Sequence, residues 1–201
     1  MVELALRRSP LAHLGLKARA VADAGAAGVR MSEAPRRVLL ELRGDPGNED
    51  FMAAVEDATG LAPPTASPDS ASKGERGALW LGPDRWLIVA PGEDDGLADT
   101  LRQALADIHH AVTEISDSFA AIRLAGPTAR DVLAKGCTLD LHPRAFAPGH
   151  VAQSTLAKAQ VILHQPKDGV FEIFTRRSFA EYLWAWLEDA GLEYGVAVVD
   201  G

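Results

Sequence analysis

The chain has 201 residues, 47% of them hydrophobic, and its 20 Lys and Arg against 28 Asp and Glu give a net charge of −8. This composition is typical of one globular domain or two small ones, and the negative charge argues against nucleic acid as the principal ligand. No apolar run approaches the ~18–20 residues that cross a bilayer, and no apolar signal segment follows Arg7 and Arg8, so neither membrane insertion nor secretion is expected.

The N-terminal residues 1–35 are rich in Ala, Gly and Arg and show little periodicity. We therefore predict an extended arm rather than a long helix. Residues 1–43 carry a net charge of +4, whereas the remaining 158 residues carry −12. This basic arm could dock on an acidic partner, with Arg7, Arg8 and Leu11 as candidate contacts, or it could be a solvated terminus.

The first half of the remaining chain, residues 36–116, alternates between strand and helix patterns. Strands are indicated by alternating apolar residues, and helices by apolar residues three and four apart, with Asn48 as an N-cap and Gly60 as a helix end. Residues 62–76 include no large apolar side chain. Such a segment buries too little apolar surface to offset the entropy lost on ordering, so we predict a mobile loop. The predicted elements are a strand at 37–43, a helix at 48–60, the mobile loop at 62–76, a hairpin at 77–90, a helix at 94–108 and a strand at 112–115.

The second half, residues 117–201, also alternates between strand and helix patterns. Gly126-Pro127 punctuates the chain before a short helix, and Gly136 is predicted to end that helix with a positive φ. Ser178 and Glu181 match a capping box. The predicted elements are a strand at 118–124, a helix at 127–136, a hairpin at 157–175, a helix at 178–190 and a strand at 194–199.

Both halves therefore have the order strand, helix, strand–turn–strand, helix, strand. This repetition predicts an α+β protein built from tandem ferredoxin-like βαββαβ halves. The predicted organisation is an extended arm at 1–35, a first half at 36–116 and a second half at 117–201.

Trp184 stands apart from the predicted apolar stripe of its helix. At ~100° per residue it lies about 140° from Phe179, on the polar face. An exposed Trp is typical of an interface anchor, so Trp184 is a candidate partner contact. The alternative is that a loop, such as the N-terminal arm, covers it.

A search of the sequence for chemistry yields no catalytic, cofactor-binding or metal-binding residues. Gly25-Ala26-Ala27-Gly28 lacks the strand and the Lys-Ser/Thr of a phosphate loop. Cys137 and His142 could form a nucleophilic pair beside Lys135, but a lone cysteine after a helix is more often a small buried hydrophobe. With a single cysteine the chain has no internal disulfide, which fits a cytoplasmic setting.

Several segments resemble one known family. They are Gly126-Pro127-Thr128-Ala129-Arg130-Asp131-Val132-Leu133-Ala134-Lys135-Gly136-Cys137 with Leu139-Asp140-Leu141 and Pro143, then Ser9-Pro10-Leu11, Arg176-Arg177-Ser178 and Trp184. The chain resembles the gamma-subunit family of heterotetrameric sarcosine oxidase and, more distantly, the aminomethyltransferase (glycine cleavage T-protein) superfamily. The resemblance implies an aminomethyltransferase-like, folate-binding-domain type of fold, in which the two halves form one compact unit.

The resemblance also implies a function: a non-catalytic gamma subunit in an oxidoreductase complex acting on CH–NH bonds. That complex would demethylate sarcosine oxidatively to glycine, produce hydrogen peroxide and pass the one-carbon unit to tetrahydrofolate. FAD, FMN, NAD and tetrahydrofolate would belong to the complex, with none held by this chain. The partners would be the alpha, beta and delta subunits, alpha being in direct contact.

A second function is kept open, that of a free-standing folate-dependent aminomethyltransferase-like one-carbon protein. Relatives of that type commonly show Asp-apolar-Ser-His where this chain has Glu114-Ile115-Ser116-Asp117. The acid is retained as Glu114, but the histidine is replaced by Asp117, which argues against a carried-over active site. A third function, a structural adaptor unrelated to sarcosine, would keep the fold alone.

Overall fold

The computed structural model describes residues 8–94 and 96–200, and the strands within these residues form two β-sheets. The strands are β1 (Val29–Glu33), β2 (Arg37–Arg43), β3 (Ser70–Lys73), β4 (Arg76–Gly82), β5 (Arg85–Pro91), β6 (Ala111–Glu114), β7 (Phe119–Ala125), β8 (Val151–Leu156), β9 (Ala159–Lys167), β10 (Val170–Arg176) and β11 (Val196–Val198). The α-helices are α1 (Leu16–Arg19), α2 (Glu49–Thr59), α3 (Leu97–Ala104), α4 (Ala129–Ala134) and α5 (Ala180–Gly191). The predicted α+β class is confirmed.

Sheet 1 contains five strands in the order β3-β4-β5-β2-β6, and every neighbouring pair is antiparallel. Helices α2 and α3 cover its outer face, where Phe51 and Trp86 pack with ring centroids 5.8 Å apart. The predicted alternation of β2 is confirmed, since Val38, Leu40 and Leu42 point into this outer core. Asn48 caps α2 as predicted, accepting hydrogen bonds from the backbone N–H groups of the helix's first turn.

Sheet 2 contains six strands in the order β11-β1-β7-β10-β9-β8. Strand β1 lies between β7 and β11, antiparallel to the former and parallel to the latter. The end of the predicted extended arm is thus an internal strand of the sheet formed by the second half of the chain. Its pairing depends on partners about 90 and 165 residues away, which no local pattern could reveal.

The two sheets stack face to face, and helices cover both outer faces, giving the layer order helix, sheet, sheet, helix. The layer between the sheets contains an apolar cluster from both: Leu39, Leu79, Leu81, Leu87, Val89, Val151, Ile162 and Phe174. The outer core of sheet 2 is larger and includes residues from α4, α5 and the N-terminal segment.

The predicted mobile loop at 62–76 is wrong in part, because this segment contains β3 and is fixed by polar contacts. Trp86 donates its indole N–H to the Pro64 carbonyl at 2.7 Å, and the Val151 N–H donates to the Pro68 carbonyl at 2.7 Å. The absence of large apolar residues therefore did not leave the segment without partners. Strand β8, where no element was predicted, pairs along its whole length with β9.

Two predicted helix ends are also corrected. Gly136 does not have a positive φ; it is glycine because the Trp186 ring approaches so closely that a Cβ would lie 2.6 Å from the ring. The predicted capping box at Ser178 does not form, since α5 begins at Ala180 after a 3-10 turn at Arg177–Phe179 and has no side-chain cap.

Candidate functional site

A groove of about 760 Å³ lies beside the N-terminal segment. We call it the N-terminal groove. Its wall includes Arg8, Ser9, Arg36, Ser116, Asp117 and Arg177. The groove therefore brings together three regions singled out in the sequence: the basic start of the chain, the acid-containing tetrapeptide at 114–117 and the Arg176-Arg177-Ser178 segment that precedes α5.

The N-terminal segment is held by its own chain. Ser9 donates its hydroxyl to Glu33 at the end of β1 and accepts the Leu11 N–H at 2.9 Å. Arg177 donates to the Arg8 carbonyl at 2.6 Å. Leu11 is fully buried in the outer core of sheet 2. The described part of the arm is thus ordered without another chain, whereas Arg7 lies outside the described residues.

The tetrapeptide at 114–117 makes the crossing from sheet 1 to sheet 2. The Ser116 hydroxyl accepts the Leu39 N–H at 3.1 Å and donates to the Glu114 carboxylate at 3.0 Å. The Ile115 N–H donates to the Leu39 carbonyl at 2.8 Å. The serine therefore caps β2 where β6 leaves it, and Glu114 is an exposed side chain that orients this serine. Glu114 and Ser116 therefore have a structural role at this crossing.

Trp184 is buried, with 1% of its surface exposed, in the same core cluster as Leu11. The prediction that it lies on a polar face is wrong, because the buried stripe of α5 is formed by Ala180, Leu183, Trp184, Leu187 and Ala190. The helix is thus rotated relative to the predicted stripe, and the alternative that the rest of the chain covers Trp184 is the one observed.

The rotation of α5 leaves two aromatic residues at the surface. Phe179 is 41% exposed and Tyr182 is 37% exposed, and their rings meet edge to face at 6.4 Å. Two sets of apolar residues on this helix each have the spacing of a buried stripe. The sequence analysis chose the set with the larger side chains, which includes Phe179 and Tyr182. The alternative stripe at spacings of three and four residues was the signal that could have identified the exposed pair.

The predicted nucleophile candidates are engaged elsewhere. The Cys137 thiol lies 3.7 Å from the Ser154 hydroxyl, whereas His142 is exposed and accepts the Arg144 N–H at 3.2 Å. Lys135 donates to the Ala190 carbonyl at 2.5 Å and to Glu193, which raises the pKa of the lysine. Its charge therefore supports the end of α5 instead of a thiolate.

The conspicuous segment at 126–137 has a structural role centred on Arg130. This side chain donates to the carbonyls of Leu141 and Phe146 at 2.6 and 2.9 Å and lies 5.2 Å from the Phe171 ring centroid. Arg130 thereby fixes residues 139–146, a segment without helix or strand that has few backbone hydrogen bonds of its own.

Neither metal coordination nor a membrane span is indicated by the described residues. Within residues 8–94 and 96–200, no group of three or more His, Cys, Asp or Glu side chains could hold a metal ion. Among the helices of the same residues, none has the length and apolarity required to traverse a bilayer.

The paired sheets with outer helices place the chain in the same fold class as aminomethyltransferases. Aminomethyltransferase T of the glycine cleavage system from Bartonella henselae superposes with a TM-score of 0.70 at 18% identity, over 96% of this chain and 59% of that one. At that identity the similarity shows the fold alone.

The family itself follows from closer relatives. The family model "Sarcosine oxidase, gamma subunit family" matches residues 43–193, and the chain belongs to this family. It is 38% identical over 195 residues to the sarcosine oxidase subunit gamma of Corynebacterium sp. (strain U-96), covering 96% of this chain and 94% of that one. A chain of the heterotetrameric sarcosine oxidase from Corynebacterium sp. U-96, solved in complex with pyrrole 2-carboxylate, superposes with a TM-score of 0.85 at 37% identity, over 96% of this chain and 98% of that one.

Proposed function

We propose that this chain is the gamma subunit of a heterotetrameric sarcosine oxidase and that it carries no active site of its own. The observation that carries the proposal is the full-length similarity, with a TM-score of 0.85, to a chain of a complex of that name. The arrangement of the candidate residues supports it as well. Glu114 and Ser116 serve a chain crossing, and Cys137 and His142 have separate partners.

The complex would carry out the oxidative demethylation of sarcosine to glycine, with hydrogen peroxide as the second product and tetrahydrofolate as the acceptor of the one-carbon unit. FAD, FMN, NAD and tetrahydrofolate would be held by the larger subunits. This chain would contribute assembly, in a cytoplasmic complex with alpha, beta and delta subunits.

We further infer that the two sheets are tandem ferredoxin-like βαββαβ halves at 36–116 and 117–201. The first half has the strand order β6-β2-β5-β4, which is the ferredoxin-like order, with β3 added at one edge. The second half follows the same order, β11-β7-β10-β9, once β1 is removed from between β11 and β7. The N-terminal residues would thus extend the second half.

The contact with the alpha subunit would lie where the N-terminal groove meets the start of α5. Arg8 is exposed at this point, and the Phe179–Tyr182 pair presents aromatic surface beside Arg177. Aromatic and Arg side chains are enriched at the centres of interfaces. Leu11 and Trp184 would act from inside the core, by fixing the segment and the helix that display these residues.

The first experiment is affinity purification of the tagged chain from its native host under sarcosine induction. A yellow complex with three further polypeptides that oxidises sarcosine would support the proposal. A colourless solitary chain that binds folate would instead support the free-standing one-carbon protein.

The interface is tested separately with Tyr182→Ala, which we expect to weaken subunit association at least tenfold, a typical effect of removing an interface aromatic. Leu192→Ala is the matched control, because Leu192 is 69% exposed just beyond the other end of the same helix. Equal effects of the two substitutions would contradict the proposed surface.

A further inference from the structure

A second cavity, of about 550 Å³, lies between the two sheets, beside the apolar cluster that joins them. We call it the inter-sheet cavity. Its volume is within the range of small-molecule sites in proteins. Its charged wall is formed by Arg30, Arg37, Arg76, Arg123, Lys167 and Glu172, with Glu75 as the second acidic residue.

The wall of this cavity is net positive, whereas the chain as a whole is net negative. Five basic residues face two acidic ones, whereas the chain as a whole carries a net charge of −8. The basic residues come from five strands of both sheets, so no single segment accounts for them. A water-accessible cleft with low-dielectric walls and one sign of charge concentrates ions of the opposite sign.

Part of this positive charge is compensated within the protein. The Glu172 carboxylate lies 2.9 Å from the Arg123 guanidinium and 3.8 Å from that of Arg37. Arg76 pairs with Asp94 at 2.5 Å. Among the described residues, Arg30 and Lys167 have no ion-pair partner, so they supply the uncompensated charge.

The register of sheet 2 shows how these two cations share one site. Arg30 is paired with Ala125, Ala125 with Val170, and Val170 with Lys167, so the four residues form one row across β1, β7, β10 and β9. Three strand spacings of ~4.8 Å separate the ends of the row by about 14 Å. The small side chains of Ala125 and Val170 leave the middle of the row open, and Arg30 and Lys167 can reach the same ligand from its two ends.

The adjoining row of the same sheet contains polar atoms that the protein leaves without partners. It runs Ser32, Arg123, Glu172 and His164. The Nε atom of Arg123 and the Nδ1 atom of His164 are buried without a hydrogen bond to the described residues. His164 lies 3.8 Å from Glu172 through that Nδ1 atom, and its Nε2 atom contacts the Ser70 hydroxyl at 3.2 Å. Buried polar groups are nearly always hydrogen-bonded, so these two atoms beside the cavity call for a partner such as a bound ligand or water.

We propose that the inter-sheet cavity binds a small dianion, whose oxyanion oxygens are held between Arg30 and Lys167 with support from Arg37. Guanidinium forks match the oxygen atoms of phosphate and carboxylate groups in pairs, and Lys supplies a further point charge. Phosphate esters and dicarboxylates share this chemistry. Arg37 also lines the N-terminal groove, whereas Arg30 and Lys167 line the inter-sheet cavity and not that groove.

The test is calorimetric titration of the full chain with inorganic phosphate, pyrophosphate and succinate at constant ionic strength. Binding of at least one of these anions is expected, together with a Tm rise of about 3–6 °C at ten times its Kd. Preference for the phosphates identifies a phosphate group as the ligand's anchor, and preference for succinate identifies a dicarboxylate. Absence of binding by all three overturns the proposal.

Two variants tie the binding to the site. Arg30→Gln and Lys167→Gln each should weaken anion binding at least tenfold, and Lys167 is exposed, so its substitution leaves the fold intact. Lys158→Gln is the matched control, because Lys158 is an exposed lysine in the β8–β9 turn and is not part of the cavity wall. Unchanged affinity in Lys167→Gln, or an equal loss in Lys158→Gln, overturns the proposal.

Discussion

The layer between the two sheets has an apolar end and a charged end, and the same strands contribute residues to both. At the apolar end, β2, β9 and β10 contribute Leu39, Ile162 and Phe174. Two residues along, the same strands contribute Arg37, His164 and Glu172 to the inter-sheet cavity. One pleat repeat, about 6.6 Å, thus separates a region stabilised by exclusion of water from a region governed by charge.

The difference shows how one interface can serve two purposes. Hydrophobic packing is non-directional and fixes the sheets against each other, so the apolar end determines their spacing. Charged groups at the other end cannot be buried without partners, and the buried Glu172 has Arg123 and Arg37 as its partners. The apolar end therefore carries the stability of the interface, and the basic end is where a ligand can exchange.

The largest expected effect is at the apolar end. Phe174 is 1% exposed, and Phe174→Ala should lower the free energy of unfolding by about 3–5 kcal/mol, because it leaves a cavity between the sheets. Urea unfolding of the isolated chain measures this change. Phe179→Ala is the matched control, since Phe179 is 41% exposed and should change stability by about 1 kcal/mol or less. Similar losses in both would contradict the assignment of stability to the apolar end.

At the charged end, Glu172→Gln should lower the free energy of unfolding by about 3 kcal/mol. The substitution leaves Arg123 and the mostly buried Arg37 without their shared carboxylate. Glu41→Gln is the control, because the Glu41–Arg43 pair is largely exposed and contributes at most about 1 kcal/mol. If the two variants unfold at the same urea concentration, the Glu172 cluster is not a stabilising network.

The same carboxylate predicts a dependence of stability on pH. Burial raises the pKa of Glu172, but the nearby His164, the hydrogen bond from Arg123 and the charge of Arg37 outweigh it and lower the pKa to about 2. Because the folded-state pKa is below the unfolded value, this stabilisation is present above pH ~4.5 and is lost as pH falls towards 2. Between pH 5 and pH 3, about 2 kcal/mol should be lost from this group.

The measurement for this pH dependence is urea unfolding at pH 5, 4 and 3, compared between the original chain and Glu172→Gln. The variant should lack the part of the slope that belongs to Glu172. Parallel pH profiles in the two proteins would show that Glu172 does not titrate as described.

The smallest effect is expected for Arg37→Leu, which extends the apolar end by one residue. Stability should change by about 1 kcal/mol or less, since Arg123 keeps the shorter contact with Glu172 and Leu39 already packs nearby. Anion binding in the inter-sheet cavity should nevertheless weaken, whereas Arg37→Lys should retain it. A large stability loss in Arg37→Leu would mean that charge holds this end of the sheets together.

Local patterns predicted much of the architecture. The strand at 37–43, the hairpins and the helix after Asn48 follow from period-2 and period-3.6 repeats and from a capping side chain, all of which act within a few residues. The resemblance of several segments, in their order along the chain, to one family is confirmed by the family model. These features are encoded locally, so the sequence alone carries them.

Tertiary structure decided the remainder. The place of β1 between β7 and β11 depends on partners far away in the chain, and Trp184 is buried in a core cluster that draws residues from the N-terminal segment to β11. One residue of the cavity wall stood out in the sequence, since Arg123 interrupts the apolar strand at 119–125. Its place in a cavity could be seen only once the two sheets were packed together. Periodicity shows which face of a strand or helix differs from the other, and only the packed structure shows what each face meets.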